Sequence, residues 1–249
     1  MKITADYHTH TIYSHGKGTT RENVKVAKEK GLRQIAITDH GFNHKFFGVR
    51  RKDLPIMRRE IEKAKEDYGI EVLLGVEANL ISAEGHIDVL EKDEEKLDII
   101  LMGFHKMVFA SSIKDRFKLF MANSFARMFG HSTEAILKNT NAYIKALKNN
   151  KIDVITHLGY AMRVDSVKIA KACMETNTYL ELNGKRIKFR DDEMKAIIAT
   201  GVKFIINSDA HRTHRIGECP LGIKFALKHN IPESQLANIN KVPKFKNHR

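Results

Sequence analysis

The chain has 249 residues, 42% of them hydrophobic and 29% charged, an ordinary globular balance with enough apolar material for a core. That length suits a single α/β barrel and does not force two domains. Its formal charge of +13 favours anionic ligands such as phosphate esters and nucleic acids, and no apolar run approaches the roughly 18–20 residues of a membrane helix. The two cysteines, Cys173 and Cys219, stand in neither metal-like nor redox-like spacing. With no signal peptide ahead of the first strand-like pattern, a cytoplasmic protein without disulfides is expected.

Residues 3–7 open the chain as a predicted strand. Thr19-Thr20-Arg21-Glu22 reads as a capping box, starting a helix that stops at Gly31. After a second apolar run at 34–38, Asp53-Leu54-Pro55 opens a helix towards Gly69. Further runs lie at 71–76, 97–104, 153–156, 179–182 and 202–207. Most are nearly continuous in Ile, Val and Leu, the pattern of strands buried on both faces of a parallel sheet. Asp165 and Asp191 are predicted N-caps of two more helices, with Gly201 after the second. Seven strand–helix units with right-handed crossovers point to one closed or nearly closed barrel over 1–249. Residues 106–130 break the rhythm. They carry Met107, Phe109, Phe117, Phe120, Met121, Phe125, Met128 and Phe129 among Lys114, Arg116, Lys118 and Arg127. That is too long for a plain connection and predicts a helical insertion over the barrel mouth. The basic end, 241–249, is expected to fray.

The informative feature is where metal-ligand residue types fall. The first strand ends in His8-Thr9-His10, the second in Asp39-His40, the third at Glu77, the fourth at His105 and the fifth at His157. The seventh ends in Asp209-Ala210-His211, and His15 lies in the first loop. The sixth lacks such a residue and ends in Asn183-Gly184-Lys185-Arg186. Residues two apart on a strand share a face, and all carboxyl ends of a parallel barrel meet at one mouth. Imidazoles mixed with carboxylates suit zinc, manganese or iron better than calcium. Nine ligands are too many for one tetrahedral ion and suit two or three, with a carboxylate such as Glu77 bridging two. Asp6 and Asp39 are candidates to orient a ligand from behind. His44, His86, His131, His214, His229 and His248 lack strand-end placement and read as loop or surface residues.

These residues resemble the four motifs of the PHP (polymerase and histidinol phosphatase) superfamily. The matches are His8-Thr9-His10 with His15; Thr38-Asp39-His40; Gly75-Val76-Glu77 with His105 and His157; and Ser208-Asp209-Ala210-His211. The resemblance is closest to the stand-alone YcdX-type metal-dependent phosphatases. It implies a distorted (β/α)7 TIM-like barrel and a trinuclear zinc centre. His8, His10, Glu77 and Asp209 would hold one ion, Glu77, His105 and His157 a second, and His15, His40 and His211 a third.

The expected activity is hydrolysis of a phosphomonoester on a small phosphorylated molecule. A hydroxide held between ions would attack phosphorus while the ions neutralise charge on its oxygens. His211, or water on its metal, is the candidate proton donor to the leaving oxygen. Arg163 and Arg186, in loops after the fifth and sixth strands, are candidates to grip phosphate bidentately. Two other readings compete. One is a 3'-5' exonuclease or phosphodiesterase acting on nucleic acid, which the charge fits. The other is a non-catalytic metal-binding module using the Phe/Met-rich insertion as a docking surface.

Overall fold

The structure is a computed structural model that describes residues 1–130 and 132–246, without the side chains of residues 126–129. His131, His248 and the side chains of Arg127, Met128 and Phe129 therefore lie outside the described residues. Among the described residues no helix is long and apolar enough to cross a membrane.

The strands are β1 (Ala5–Asp6), β2 (Gln34–His40), β3 (Glu71–Asn79), β4 (Ile99–Gly103), β5 (Val154–Ile155), β6 (Tyr179–Asn183) and β7 (Phe204–Asn207). They form one sheet in sequence order, and every neighbouring pair is parallel. Past the strand ends, Thr9 bridges Ala210, with His10 N donating to Ala210 O at 2.9 Å and Ala210 N to His8 O at 3.1 Å. This contact closes the sheet into a seven-stranded barrel. Every residue of β2, β4 and β7 is buried, as near-continuous apolar strands require.

Two apolar layers hold the barrel. The larger packs the outer strand faces against helices. The smaller fills the lower interior and includes Tyr7, Ala36, Leu73, Leu101, Val154, Ile205 and Phe245. Phe245 plugs the amino-terminal end, its ring 4.7 Å from Tyr7 and 5.9 Å from Tyr179. Beside it Lys246 N donates to Asp153 Oδ1 at 2.8 Å. The expectation of a fraying tail is therefore corrected for residues up to Lys246, because an aromatic side chain near the chain end finds an apolar hole to fill; 247–249 lie outside the described residues.

The helices are α1 (Thr20–Glu29), α2 (Leu54–Tyr68), α3 (Glu91–Glu94), α4 (Ile113–Asp115), α5 (Ala122–Phe129), α6 (Thr133–Asn149), α7 (Ser166–Glu175), α8 (Met194–Ala199) and α9 (Pro220–Lys228). Thr19 and Glu22 form the capping box, and the Asp165 side chain accepts from Lys168 N at 3.0 Å. Asp191 does not cap α8. Its carboxylate pairs with Lys228 at 2.6 Å and His229 at 3.0 Å, and the helix starts after Glu193. The loops after β2 and β4 join in a short antiparallel bridge between His44 and Val108, flanked by Lys45 N donating to Met107 O and Phe109 N to Asn43 O. Beyond it α4, a π-helical stretch (Arg116–Met121) and α5 run on continuously. Phe120 packs on Phe104 at 5.0 Å and Asn123 pairs with Asn139, tying this segment to β4 and α6.

Candidate metal centre

The strand parity that sends Ala36, Leu73, Leu101 and Ile205 into the lower interior continues upward in steps of two to His40, Glu77, His105 and Asp209. Glu77 is wholly buried at the middle of the mouth. Its Oε1 lies 2.8 Å from His157 Nε2 and 3.3 Å from His105 Nε2, and accepts from Thr156 Oγ1 at 2.9 Å. Its Oε2 lies 3.0 Å from His40 Nδ1, 3.3 Å from His8 Nε2 and 3.8 Å from His10 Nε2. Asp209 Oδ1 stands 3.3 Å from His211 Nδ1, 3.7 Å from His10 Nε2 and 3.9 Å from His8 Nε2. Donor atoms converge within 4.8 Å in three groups: His8, His10 and Asp209; His40, Glu77 and His105; and His10, His40 and His211. Ligand atoms around a tetrahedral ion with bonds of about 2.0–2.1 Å lie about 3.3 Å apart, close to these spacings.

Five buried atoms here make no hydrogen bond: His8 Nε2, both ring nitrogens of His10, His40 Nδ1 and Glu77 Oε2. An unsatisfied buried polar atom costs about 1–3 kcal/mol, so five in one shell are stable only with a further partner. A cation is the partner whose chemistry fits nitrogen lone pairs facing a carboxylate. The donor set matches zinc, manganese or iron.

Behind these donors lies a second layer of buried polar groups. Glu181, from the strand that seemed to contribute nothing, accepts from His8 Nδ1 at 2.7 Å, His157 N at 2.9 Å, Asn183 Nδ2 at 2.8 Å and Asn207 Nδ2 at 3.1 Å. With Nδ1–H donated to Glu181, His8 presents the lone pair of Nε2 to the centre. His105 is held likewise: its Nδ1 meets Asn79 Oδ1 at 2.7 Å, and Asn79 Nδ2 donates to Asp88 Oδ2 at 2.6 Å. Asp6 and Asp39 support the backbone instead of ligand rings. Asp6 accepts from Ser208 N and Gly217 N, and Asp39, on the opposite parity to His40, accepts from Thr11 N at 2.7 Å.

The electrostatics divide the histidines. Burial opposes charge on His8, but Glu77, Glu181 and Asp209 outweigh it and hold its proton affinity well above the usual range, so an ion taking the Nε2 lone pair would displace a proton there. Burial, with His40, His211 and His8 nearby, holds His10 well below that range. Burial also pushes His40 down to about 4, despite Glu77. His10 and His40 are thus neutral, the state a ligand needs. Two site residues carry backbone strain, His157 at φ 28° and Asp209 at φ 54°. Among the described residues the other non-glycine positive-φ positions are all asparagines, which tolerate that region far better.

The structure brings His8, His10, His40, Glu77, His105, His157, Asp209 and His211 together. His15 is exposed and stands outside the three donor groups, but its ring lies 4.8 Å from His211 and 6.1 Å from His40. The three groups overlap the division implied by resemblance: His8, His10 and Asp209 fall together, His40 lies with His211, and His105 and His157 share Glu77 Oε1, while His40 also lies with Glu77 and His105. Arg186 lies over the Tyr160 ring at 4.0 Å, and Tyr160 meets His157 edge-on at 5.8 Å, which puts the guanidinium beside the mouth. Arg163 is exposed, and only its carbonyl is engaged, by Asn139. Three residues were missed. Glu181 sits inside the strand, although its parity with Tyr179 and Asn183 could have revealed it. His44 was set aside, yet its ring stacks 5.0 Å from His40. Lys185 Nζ reaches Asp209 Oδ1 at 3.0 Å and His211 Nδ1 at 2.7 Å. His86 and His214 are exposed, and His229 pairs with Asp191.

The PHP domain model matches residues 6–206, and the chain belongs to the PHP domain family. A protein of Caldanaerobacter subterraneus subsp. tengcongensis named a probable phosphatase is 30% identical, with 98% of this chain and 91% of that protein covered. Another, from Thermoanaerobacter pseudethanolicus, is 31% identical over 96% and 91%. In fold the chain is similar to histidinol phosphate phosphatase of Lactococcus lactis, solved with zinc, L-histidinol and phosphate (TM-score 0.63, 17% identity, 100% and 99% covered). It is also similar in fold to a chain of archaeal ribonuclease P solved with mature tRNA (TM-score 0.51, 17% identity, 85% and 76% covered).

Proposed function

We propose that this PHP-type, metal-dependent phosphoesterase is a phosphomonoesterase working at a centre of three divalent ions, zinc foremost and otherwise manganese or iron(II). The supporting observation is the shell of buried, hydrogen-bond-free nitrogens of His8, His10 and His40 around Glu77 Oε2, itself without a hydrogen bond. Nine residues would hold the ions: His8, His10, His15, His40, Glu77, His105, His157, Asp209 and His211. Glu77 would span two of them, Oε1 facing His105 and His157 and Oε2 facing His8, His10 and His40. When bound, the ions supply an activated water and neutralise charge on the phosphoryl oxygens.

The chain's own residues would do the remainder. Arg186, preoriented by Tyr160, and Arg163 grip the phosphoryl group. His211, or a water beside it, would return to the leaving oxygen the proton given up by the attacking water, with Lys185 at His211 Nδ1 fixing the ring. The phosphatase names of the relatives and the zinc and phosphate in the Lactococcus lactis enzyme support this reading.

The test is elemental analysis of the purified protein, paired with hydrolysis of a generic phosphomonoester before and after chelation. Two or three ions per chain and chelator-sensitive turnover are expected. Fewer than one ion per chain, with no turnover restored by zinc or manganese, overturns the proposal. Release from single-stranded DNA with negligible monoesterase activity would replace it with the phosphodiesterase reading.

A further inference from the structure

We infer that Lys185 is a built-in competitor of the third ion: its ammonium and a divalent ion exclude one another at His211. The inference rests on the three-ion reading of the centre and says what governs occupancy of the third position.

Lys185 lies two residues past the end of β6 and is held by the layer that aims the ligands. Its backbone N donates to Asn183 Oδ1 at 2.8 Å, and Asn183 Nδ2 donates in turn to Glu181 Oε2 at 2.8 Å and Asp209 Oδ2 at 3.2 Å. From there Lys185 Nζ reaches Asp209 Oδ1 at 3.0 Å and His211 Nδ1 at 2.7 Å. The same Asp209 oxygen faces His10 and His8. Only 26% of the lysine side chain is exposed. Among the described residues, no other lysine or arginine side chain forms a hydrogen bond or ion pair with the side chain of a proposed ligand.

An ammonium has donors and no acceptor, and each imidazole nitrogen offers either one lone pair or one proton. At 2.7 Å from Nζ, His211 Nδ1 must turn its lone pair to Lys185, so the neutral ring carries its proton on Nε2. A protonated Nδ1 could donate to the Asp209 carbonyl, 3.1 Å away, but would then meet the ammonium proton to proton. Neither ring nitrogen is open to an ion while Lys185 stays. An ion at Nδ1 needs the lone pair that the ammonium holds. An ion at Nε2 sends the ring proton to Nδ1, against the ammonium. His211 is therefore a proton donor when Lys185 holds it and a ligand when an ion does, and Lys185 sets which.

The test strips zinc from the loaded protein with graded chelator and counts the ions retained per chain by elemental analysis. In Lys185→Met the weakest-held ion should be retained about 10- to 100-fold more tightly than in the wild type, the worth of one hydrogen bond from a charged donor. Lys185→Gln keeps a neutral donor to His211 and should gain by a smaller factor. Adding His211→Ala to Lys185→Met should abolish the gain. Lys17→Met controls for charge alone. The Lys17 backbone N lies 2.9 Å from His211 O, yet its side chain makes no hydrogen bond or ion pair among the described residues, so the change should be less than about threefold. Unchanged or weaker retention in both Lys185 variants, or an equal gain in Lys17→Met, overturns the inference. Two ions in the wild type and three in the Lys185 variants would sink the three-ion reading and keep the competition. Three ions held alike in all forms would do the reverse, and two or fewer in every form overturn both.

Discussion

Replacing Glu181 by glutamine tests whether the centre depends on a carboxylate that stands behind the proposed ligands. Each Glu181 oxygen takes two N–H donors: Oε1 from His8 Nδ1 and Asn207, Oε2 from the His157 backbone and Asn183. Glutamine keeps one oxygen and turns the other into a donor, so two N–H groups come to face an NH2. The asparagine amides can rotate away. The His157 backbone N–H and the required His8 tautomer cannot. One buried donor left unsatisfied costs about 1–3 kcal/mol, which for a chain of this size is a fall in Tm of about 3–10 °C. The second effect is specific to the site. With His8 no longer locked to present Nε2, ion affinity should fall about 10- to 100-fold. Competitive titration with a chelating dye measures affinity, and calorimetric melting measures stability. Wild-type affinity combined with wild-type Tm would refute the reasoning. Loss of a whole ion at saturating metal would instead make Glu181 a ligand.

Further outcomes follow from the same geometry. A Cβ at Gly103 would lie 2.5 Å from Thr156 Oγ1 and 2.9 Å from His157 Cε1, so Gly103→Ala should displace His157 from Glu77 and lower ion affinity about tenfold or more; unchanged metal titration counts against it. Phe245→Ala empties the lower plug and should cost about 3–5 kcal/mol in denaturant unfolding, whereas a loss under 1 kcal/mol would mean the plug is dispensable. Burial pushes Asp153 up to about 6, against hydrogen bonds from Ile100 N and Lys246 N. The folded state therefore holds this proton to higher pH than the unfolded chain, and ionisation removes about 3 kcal/mol of stability as pH rises from about 4 to about 6. Asp153→Asn lacks that ionisation, so its Tm should gain on the wild type across this window; a pH-independent difference refutes the assignment. Arg163→Ala and Arg186→Ala should weaken substrate affinity or turnover with ion content unchanged, and wild-type kinetics in both would remove these arginines from the site.

The barrel was legible because its strands are buried on both faces and so read as short apolar runs. The convergence of the candidate ligands was legible because parallel strands carry every carboxyl end to one mouth, which turns the end of each run into an address. His8, Glu77, His105 and Asp209 could be placed together on those two facts alone. What a linear pattern does not carry is which buried polar group faces which. Glu181 looked like one more residue of β6, and only closure of the barrel puts it within 2.7 Å of a histidine 173 positions away. His44 looked like a loop residue until the 43–45 and 107–109 loops bridged. Phe245 sat in a basic tail, and a hole between Tyr7 and Tyr179, which exists only in three dimensions, gave it a place. Local periodicity determined the elements and the ligand types, because both are set by neighbours in the chain. The hydrogen-bonded shell that aims the ligands, and the lysine set against them, were decided by contacts between distant segments that the tertiary fold alone brings together.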